Sequence, residues 1–313
     1  MNDEVRRAAE ILRAGRLVAF PTETVYGLGA DASNPAAIAL LYAVKRRPME
    51  HPVIVHFAHA EHAFAWTREV PENARRLAAR FWPGPLTLVL KRSALARDFI
   101  TRGVDTIGVR VPSHPVGRAM LDAFGGGVAG PSANRFGHVS PTTAAHVRAA
   151  LGRDVELVLE GGSSEVGIES TILDVSRDRP VLLRPGHISR ETLEQFLGEA
   201  VPDGDAQAPR HPGGLERHYA PQTPVRLVPA HALDAEIAKL GAHAAVLAFS
   251  RPDERVDYWL RMPRDAEGYA RKLYAALREL DGAGCEAILI ESPPQAPAWQ
   301  AVRDRLQRAT SQA

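Results

Sequence analysis

Seven short stretches hold the side chains that could do chemistry, most of them where a strand ends or a turn begins. Residues 21–29, PTETVYGLG, place Thr22, Thr24 and two glycines directly after an apolar run, a composition that suits close approach of a ligand to the backbone. Lys45, Arg46 and Arg47 close a helical pattern ahead of Pro48; the helix dipole alone favours cations there, and the same cluster could hold phosphates. His56 interrupts the apolar run 53–57, either as a satisfied core histidine or as a ligand contact. Arg110 stands in TIGVRVP, where a buried guanidinium needs an anion, which an internal carboxylate or a substrate carboxylate could supply. Residues 131–134, PSAN, with Ser140 beyond them, could cradle phosphate oxygens or form an ordinary turn. GIEST at 167–171 enters a strand, and LRPG at 183–186 leaves one.

Other signatures are absent. The chain has no GxxxxGK[ST] loop and no HExxH, and GPSAN carries Asn134 where a nucleophile elbow needs glycine. Gly125 to Gly127 reads as a turn before the strand leading to Ser132.

The elements that must position these residues alternate in type. β-rich runs at 17–20, 53–57, 86–90, 106–111, 157–159, 171–175 and 181–183 predict strands. Asn34 caps a helix with Pro35 at its first position and Ile38, Leu41 and Tyr42 on one face. Ser140–Pro141 gives a second start signal, and Ser189 opens a helix that stops near Gly198. Residues 1–200 are therefore expected to form an α/β domain with a large, twisted mixed sheet and helices. Residues 201–224 have linker composition, yet Leu215, Arg217, His218 and Tyr219 crowd together within 211–221, so this part reads as a lid. Residues 225–313 predict strands at 225–228, 245–249, around Trp259 and at 287–291. Helices are expected at 233–240, at 266–280 and from Ala298, giving a small Rossmann-like α/β domain without a GxGxxG dinucleotide loop.

Bulk properties narrow the class. A chain of 313 residues is expected to form two domains, and its net charge of +1 announces no polyanion partner. Cys285 is the single cysteine, which excludes an internal disulfide and a cysteine-rich zinc site. The N-terminus lacks a signal-peptide core and no apolar run is long enough to span a bilayer, so a cytoplasmic protein with no membrane partner is expected.

Taken in order, FPTETVYGLGADA, KRRP followed by HPVIVHF, FWPGPLTLVL, TIGVRVP, GPSANRFG, GIESTILD, LLRPG and the linker HYAP resemble the threonylcarbamoyl-AMP synthase family, YrdC-type, in its long two-domain form. The resemblance implies that L-threonine, bicarbonate and ATP give threonylcarbamoyl-AMP and pyrophosphate, for threonylcarbamoyl-adenosine in tRNA. It implies a threonine site of Thr24, His56, Arg110, Gly130 and Ser170. It also implies ATP contacts from Arg47, His51, Thr106, Ser132, Ser140, Arg184 and Tyr219. Lys45, Arg47 and Asn134 would orient phosphates as the catalytic set. Magnesium would arrive with ATP, with no dedicated metal site and no organic cofactor. Downstream tRNA threonylcarbamoyl-transferase proteins would be partners, with possible direct contact to tRNA or double-stranded RNA. Two positions depart from the pattern: His51 stands where the family commonly has Asn, and GGLERHYAP replaces a linker usually carrying Met and an aromatic or Lys. An RNA-binding module without catalysis is the rival from another class, and a hydrogenase-maturation carbamoyltransferase is a second, though it would bring zinc-finger cysteines absent here.

Overall fold

The computed structural model describes residues 3–205, 208–212 and 219–310, and these divide into two compact units. The first contains the described residues up to Phe136, then Pro141–Glu165 and 169–212; the second contains Gly137–Ser140, Val166–Ile168 and the described residues from Tyr219 onward. Leu215, Arg217 and His218, central to the expected lid, lie outside the described residues.

The first unit is built on a nine-strand mixed sheet among the described residues. Its strands are β1 Val18–Phe20, β2 Gly27–Asp31, β3 Val55–His56, β4 Leu86–Lys91, β5 Thr106–Arg110, β6 Val128–Ala129, β7 Leu157–Val158, β8 Thr171–Asp174 and β9 Val181–Arg184. They run in the order β7-β1-β2-β6-β3-β5-β4-β8-β9, so β3 and β5 meet at the centre as a parallel pair with His56 beside Arg110. Every strand expected in this region is present, though some are shorter than the apolar runs that announce them. The strand β2 is additional: GLGAD forms an antiparallel hairpin with β1. Its glycines meet packing demands, since a Cβ on Gly27 would stand 2.9 Å from the Phe20 ring and one on Gly29 3.0 Å from the Val18 carbonyl.

Helix ends follow local chemistry. The Asn34 side chain accepts from the Ala36 and Ala37 amides, and Pro35–Lys45 buries Ile38, Leu41 and Tyr42. Ser189 caps Arg190–Leu197 through the Thr192 amide, and Gly198 ends it in the left-handed region. The start expected at Ser140–Pro141 is displaced: the helix is Ala144–Leu151, capped by Thr143 through the His146 amide. The Pro141 carbonyl instead accepts from the Tyr26 amide at 2.9 Å, which holds that residue against the β1–β2 hairpin. One face of the sheet, with Leu28, Val55, Leu88, Val109 and Leu173, joins Leu41 and Leu77 in the main core. Ile54, Val89, Ile172, Val181 and Leu183 cluster separately.

The second unit contains β10 Val225–Val228, β11 Ala244–Ala248, β12 Tyr258–Arg261 and β13 Ala287–Glu291, all parallel in the order β10-β13-β11-β12. Helices Leu233–Leu240, Ala266–Asp281 and Gln300–Thr310 connect and cover it, as expected for a small Rossmann-like domain. The continuous apolar strands AAVLA and AILIE are what a parallel sheet covered on both faces requires. Among the described residues no helix is long and apolar enough to cross a membrane.

Candidate functional site

The turn between β1 and β2 supplies the first side chains. Thr22 Oγ1 accepts from the Thr24 and Val25 amides at 3.3 and 3.2 Å and shares a hydrogen bond with Thr24 Oγ1 at 2.8 Å. This locks the turn and leaves Thr24 nearly inaccessible, at 1% exposure. Arg110, at the end of β5, reaches the same turn: Nη1 donates to Thr24 Oγ1 at 3.0 Å, Nη2 to Glu23 Oε1 at 2.7 Å and Nε to the Gly84 carbonyl at 3.2 Å. The other Glu23 oxygen accepts from the Ser113 amide at 3.0 Å. The arginine therefore has an internal anion, and three of its five N–H groups are engaged.

His56 lies beside Arg110 on β3, buried, with Phe20 edge-on to its ring at 5.8 Å. Burial, aided by the Arg110 charge, holds its pKa well below the ordinary histidine value, so the ring is neutral. Its Nδ1 is buried and finds no hydrogen-bond partner among the described residues. A Cβ on Gly130 would come within 2.7 Å of that nitrogen, so only glycine leaves it clear. The backbone fixes the position, because the Gly130 amide donates to the Ile54 carbonyl at 3.0 Å.

From Gly130 the chain runs along β2, where the Leu28 amide donates to the Pro131 carbonyl and the Ala133 amide to the Tyr26 carbonyl, at 2.7 and 2.8 Å. Lys45 is buried beneath this stretch. Its Nζ donates to the Ser132 and Asn134 carbonyls at 2.5 and 2.6 Å, and burial drives its pKa well below the usual lysine value. In this arrangement Lys45 is a strut of the turn that presents Ser132 and Asn134. The Asn134 side chain donates to the Arg135 carbonyl at 2.8 Å. Arg47, just past the helix end, donates through Nη2 to the Pro52 carbonyl at 2.8 Å and lies 5.4 Å over the Phe136 ring. The half-buried His51 ring also meets Phe136, at 5.8 Å, and burial with the Arg47 charge lowers its pKa.

Ser170, ahead of β8, is wrapped by Arg184 from β9. Nε donates to the Ser170 carbonyl at 3.0 Å and Nη2 to its Oγ at 3.1 Å, while Thr87 Oγ1 and Ser170 Oγ are 2.8 Å apart. Arg184 Nη1 donates to the Pro212 carbonyl at 3.2 Å. Thr106 shares the Arg110 face of β5 but opens that strand. The two stand four positions apart, about 13 Å at the usual strand rise.

Two further candidates belong to the second unit. Ser140 is fully buried, and its carbonyl accepts from Arg278 Nε at 3.4 Å. Tyr219 is buried in a left-handed conformation at φ 63°, stacked on Tyr274 at 5.9 Å with Arg305 5.2 Å over its ring.

The first unit thus joins Thr24, His56, Arg110 and Gly130 through direct contacts, and Lys45 through the turn that follows Gly130. Two participants escaped the residue-by-residue reading. Glu23 sits within PTETVY, and Thr87 is a fully buried hydroxyl in the apolar strand LTLVLK. A polar interruption of an apolar run, the signal that marks His56, also marks Thr87.

Comparison with known proteins identifies the family. A family model described as telomere recombination (Sua5, YciO, YrdC) matches residues 10–186, and one described as the C-terminal domain of threonylcarbamoyl-AMP synthase matches 188–311. Threonylcarbamoyl-AMP synthases of Pyrococcus abyssi and Bacillus subtilis are each 38% identical over 98% of this chain, which covers 94% and 92% of theirs. The solved structure of P. abyssi Sua5 complexed with L-threonine superposes with a TM-score of 0.91 at 37% identity, covering 98% of this chain and 94% of that one. The chain belongs to the threonylcarbamoyl-AMP synthase family of enzymes.

Proposed function

We propose that this chain makes threonylcarbamoyl-AMP and pyrophosphate from L-threonine, bicarbonate and ATP, for transfer to tRNA by downstream proteins. The observation that carries this reading is the neutral, buried His56, with an unpartnered Nδ1 beside Gly130, next to an Arg110 that retains two N–H donors. A hydroxyl and a carboxylate on one small molecule match those two groups, and the likeness to a structure complexed with L-threonine supports the choice.

In this reading the threonine amine condenses with bicarbonate, losing water to give a carbamate. A carbamate oxygen then attacks the α-phosphorus of ATP, and the bond to the β,γ-pyrophosphate breaks. Such a displacement needs alignment and charge stabilisation more than a protein nucleophile. Thr24 and Arg110 orient the amino acid. Ser132 and Asn134, on the turn braced by Lys45, and Arg47 face the polyphosphate, while Arg184 holds Ser170 in place. Magnesium would supply charge neutralisation of the leaving pyrophosphate. The Ser132 hydroxyl and the Asn134 amide oxygen are the oxygen groups on this turn that would suit such an ion, and the Arg47 cation would meet the phosphates that carry it.

Pyrophosphate release measured with threonine, bicarbonate and ATP, omitting each in turn, tests the proposal. Release should require all three. Valine, nearly isosteric but lacking the hydroxyl, should support it far more weakly, because the site's polar groups are left unpaired. Equal rates with valine would remove threonine as the substrate, and release without bicarbonate would remove the carbamate.

A further inference from the structure

A second recess lies on the other side of β5. Ile107, Val109 and Val111 point into the main core, so Val111 faces away from Arg110, and it lines a groove of about 380 Å³. Phe64, Ala78, Trp82 and Val111 give the groove an apolar wall. The Trp82 indole N–H already donates to the Leu86 carbonyl at 2.7 Å, so its ring offers the groove only an apolar surface.

Two arginines converge on this wall without an anion. Arg118 has a buried Nε with no partner, and among the described residues its side chain makes no hydrogen bond or ion pair. Arg75 lies 5.8 Å over the Phe64 ring, its only side-chain interaction among the described residues. A third polar lining residue is already engaged: His59 pairs with Asp122 at 2.9 Å. Glu61, also on the rim, opposes a second negative charge on any occupant.

We propose that this groove binds a small organic carboxylate, singly charged, with a flat or branched apolar body. The carboxylate meets Arg118 and Arg75, and the body covers Phe64, Ala78 and Trp82. The volume is that of an ordinary small-molecule pocket. A guanidinium fork beside an apolar wall selects for both halves of such a ligand, and neither inorganic phosphate nor a neutral amide offers both.

Calorimetric titration of the full chain with phenylacetate, phenylacetamide and inorganic phosphate tests this. Phenylacetate should bind saturably, about tenfold or more tighter than either comparison ligand, since a charge-assisted pair and apolar burial each contribute at that level. Arg118→Gln should weaken phenylacetate about tenfold and bring it close to the amide. Ala79→Phe, an exposed substitution that narrows the groove, should weaken phenylacetate and phenylacetamide together and covers the case in which Arg118→Gln fails to fold. Equal binding of acid and amide, phosphate binding as tight as phenylacetate, unchanged affinity in both variants, or no saturation would each overturn the proposal.

Discussion

Arg110 Nη2 and Glu23 Oε1 are 2.7 Å apart, with side-chain exposures of only 4% and 5%. A strand arginine and a turn glutamate therefore solve each other's burial before any substrate arrives. A substrate carboxylate would join as a second anion, on the N–H groups that Glu23, Thr24 and Gly84 leave over. Losing one member of a buried pair strands the other charge, at about 3–5 kcal/mol. Arg110→Ala should lower the unfolding free energy by that order, read from the shift in the urea midpoint. Glu23→Gln combined with Arg110→Met should recover much of the stability without recovering threonine affinity. Calorimetry with threonine on the folded double variant decides the role of Arg110, because parental affinity there would make it purely structural.

How much of this was legible in sequence depends on the range of each interaction. The Asn34 cap, the Ser189 cap and the Gly198 stop are local contacts and could be read directly. The Glu23–Arg110 pair spans 87 residues, and no strand-level pattern exposes it. The second hairpin strand was hidden because Gly27 and Gly29 look like loop residues, whereas tight packing on Phe20 and Val18 demands them. Ser140 and Thr143 both carry helix-start chemistry. The tertiary bond from the Tyr26 amide to the Pro141 carbonyl favours Thr143. Lys45 shows the same limit: its type and place suggested a phosphate contact, but its Nζ turns inward to two carbonyls.

That inward turn separates two roles for Lys45. Lys45→Met would remove the Nζ bond to each of the Ser132 and Asn134 carbonyls, at about 0.5–1.5 kcal/mol each, while the Ser132 carbonyl keeps the Asn134 amide at 2.9 Å. As a strut, Lys45 should lose stability and ATP-analogue affinity together when replaced by methionine. Thermal melts and nucleotide calorimetry on the same preparation test this. Loss of nucleotide affinity with an unchanged melting temperature would show instead that Nζ contacts the triphosphate.

His56 should leave a mark on the pH dependence of stability. Its pKa is depressed in the folded protein by burial and by Arg110, while the unfolded chain has the ordinary value near about 6.5. Below that value the unfolded state binds the extra proton and the folded state does not. Stability is therefore complete above about pH 6.5 and falls as the solution is acidified through that point toward the folded value. His56→Gln removes this proton and should flatten the slope between about pH 7.5 and 5.5. Urea midpoints across that window measure it, and an unchanged slope in the variant would assign the acid sensitivity to other groups.

A tight steric relationship in the site lies between Gly130 and His56. A Cβ on residue 130 would stand 2.7 Å from Nδ1 and 3.0 Å from Cε1 of the imidazole, with the Phe20 ring 3.1 Å away. The Gly130 amide is bonded to the Ile54 carbonyl, so the backbone cannot retreat without losing that bond. The imidazole is hemmed in by Phe20 as well and has little room to swing aside. Gly130→Ala should therefore cost about 1–3 kcal/mol, as overpacking in a close-packed interior does. It should also abolish threonine binding, because the new methyl covers Nδ1. Combining it with His56→Ala should restore stability relative to Gly130→Ala alone, since the clashing ring is gone, yet threonine affinity should stay lost. A double-mutant cycle followed by urea denaturation and threonine calorimetry separates the two effects. Additive stability losses would show that the methyl clashes elsewhere. Threonine affinity surviving in Gly130→Ala would remove Nδ1 of His56 from the substrate site.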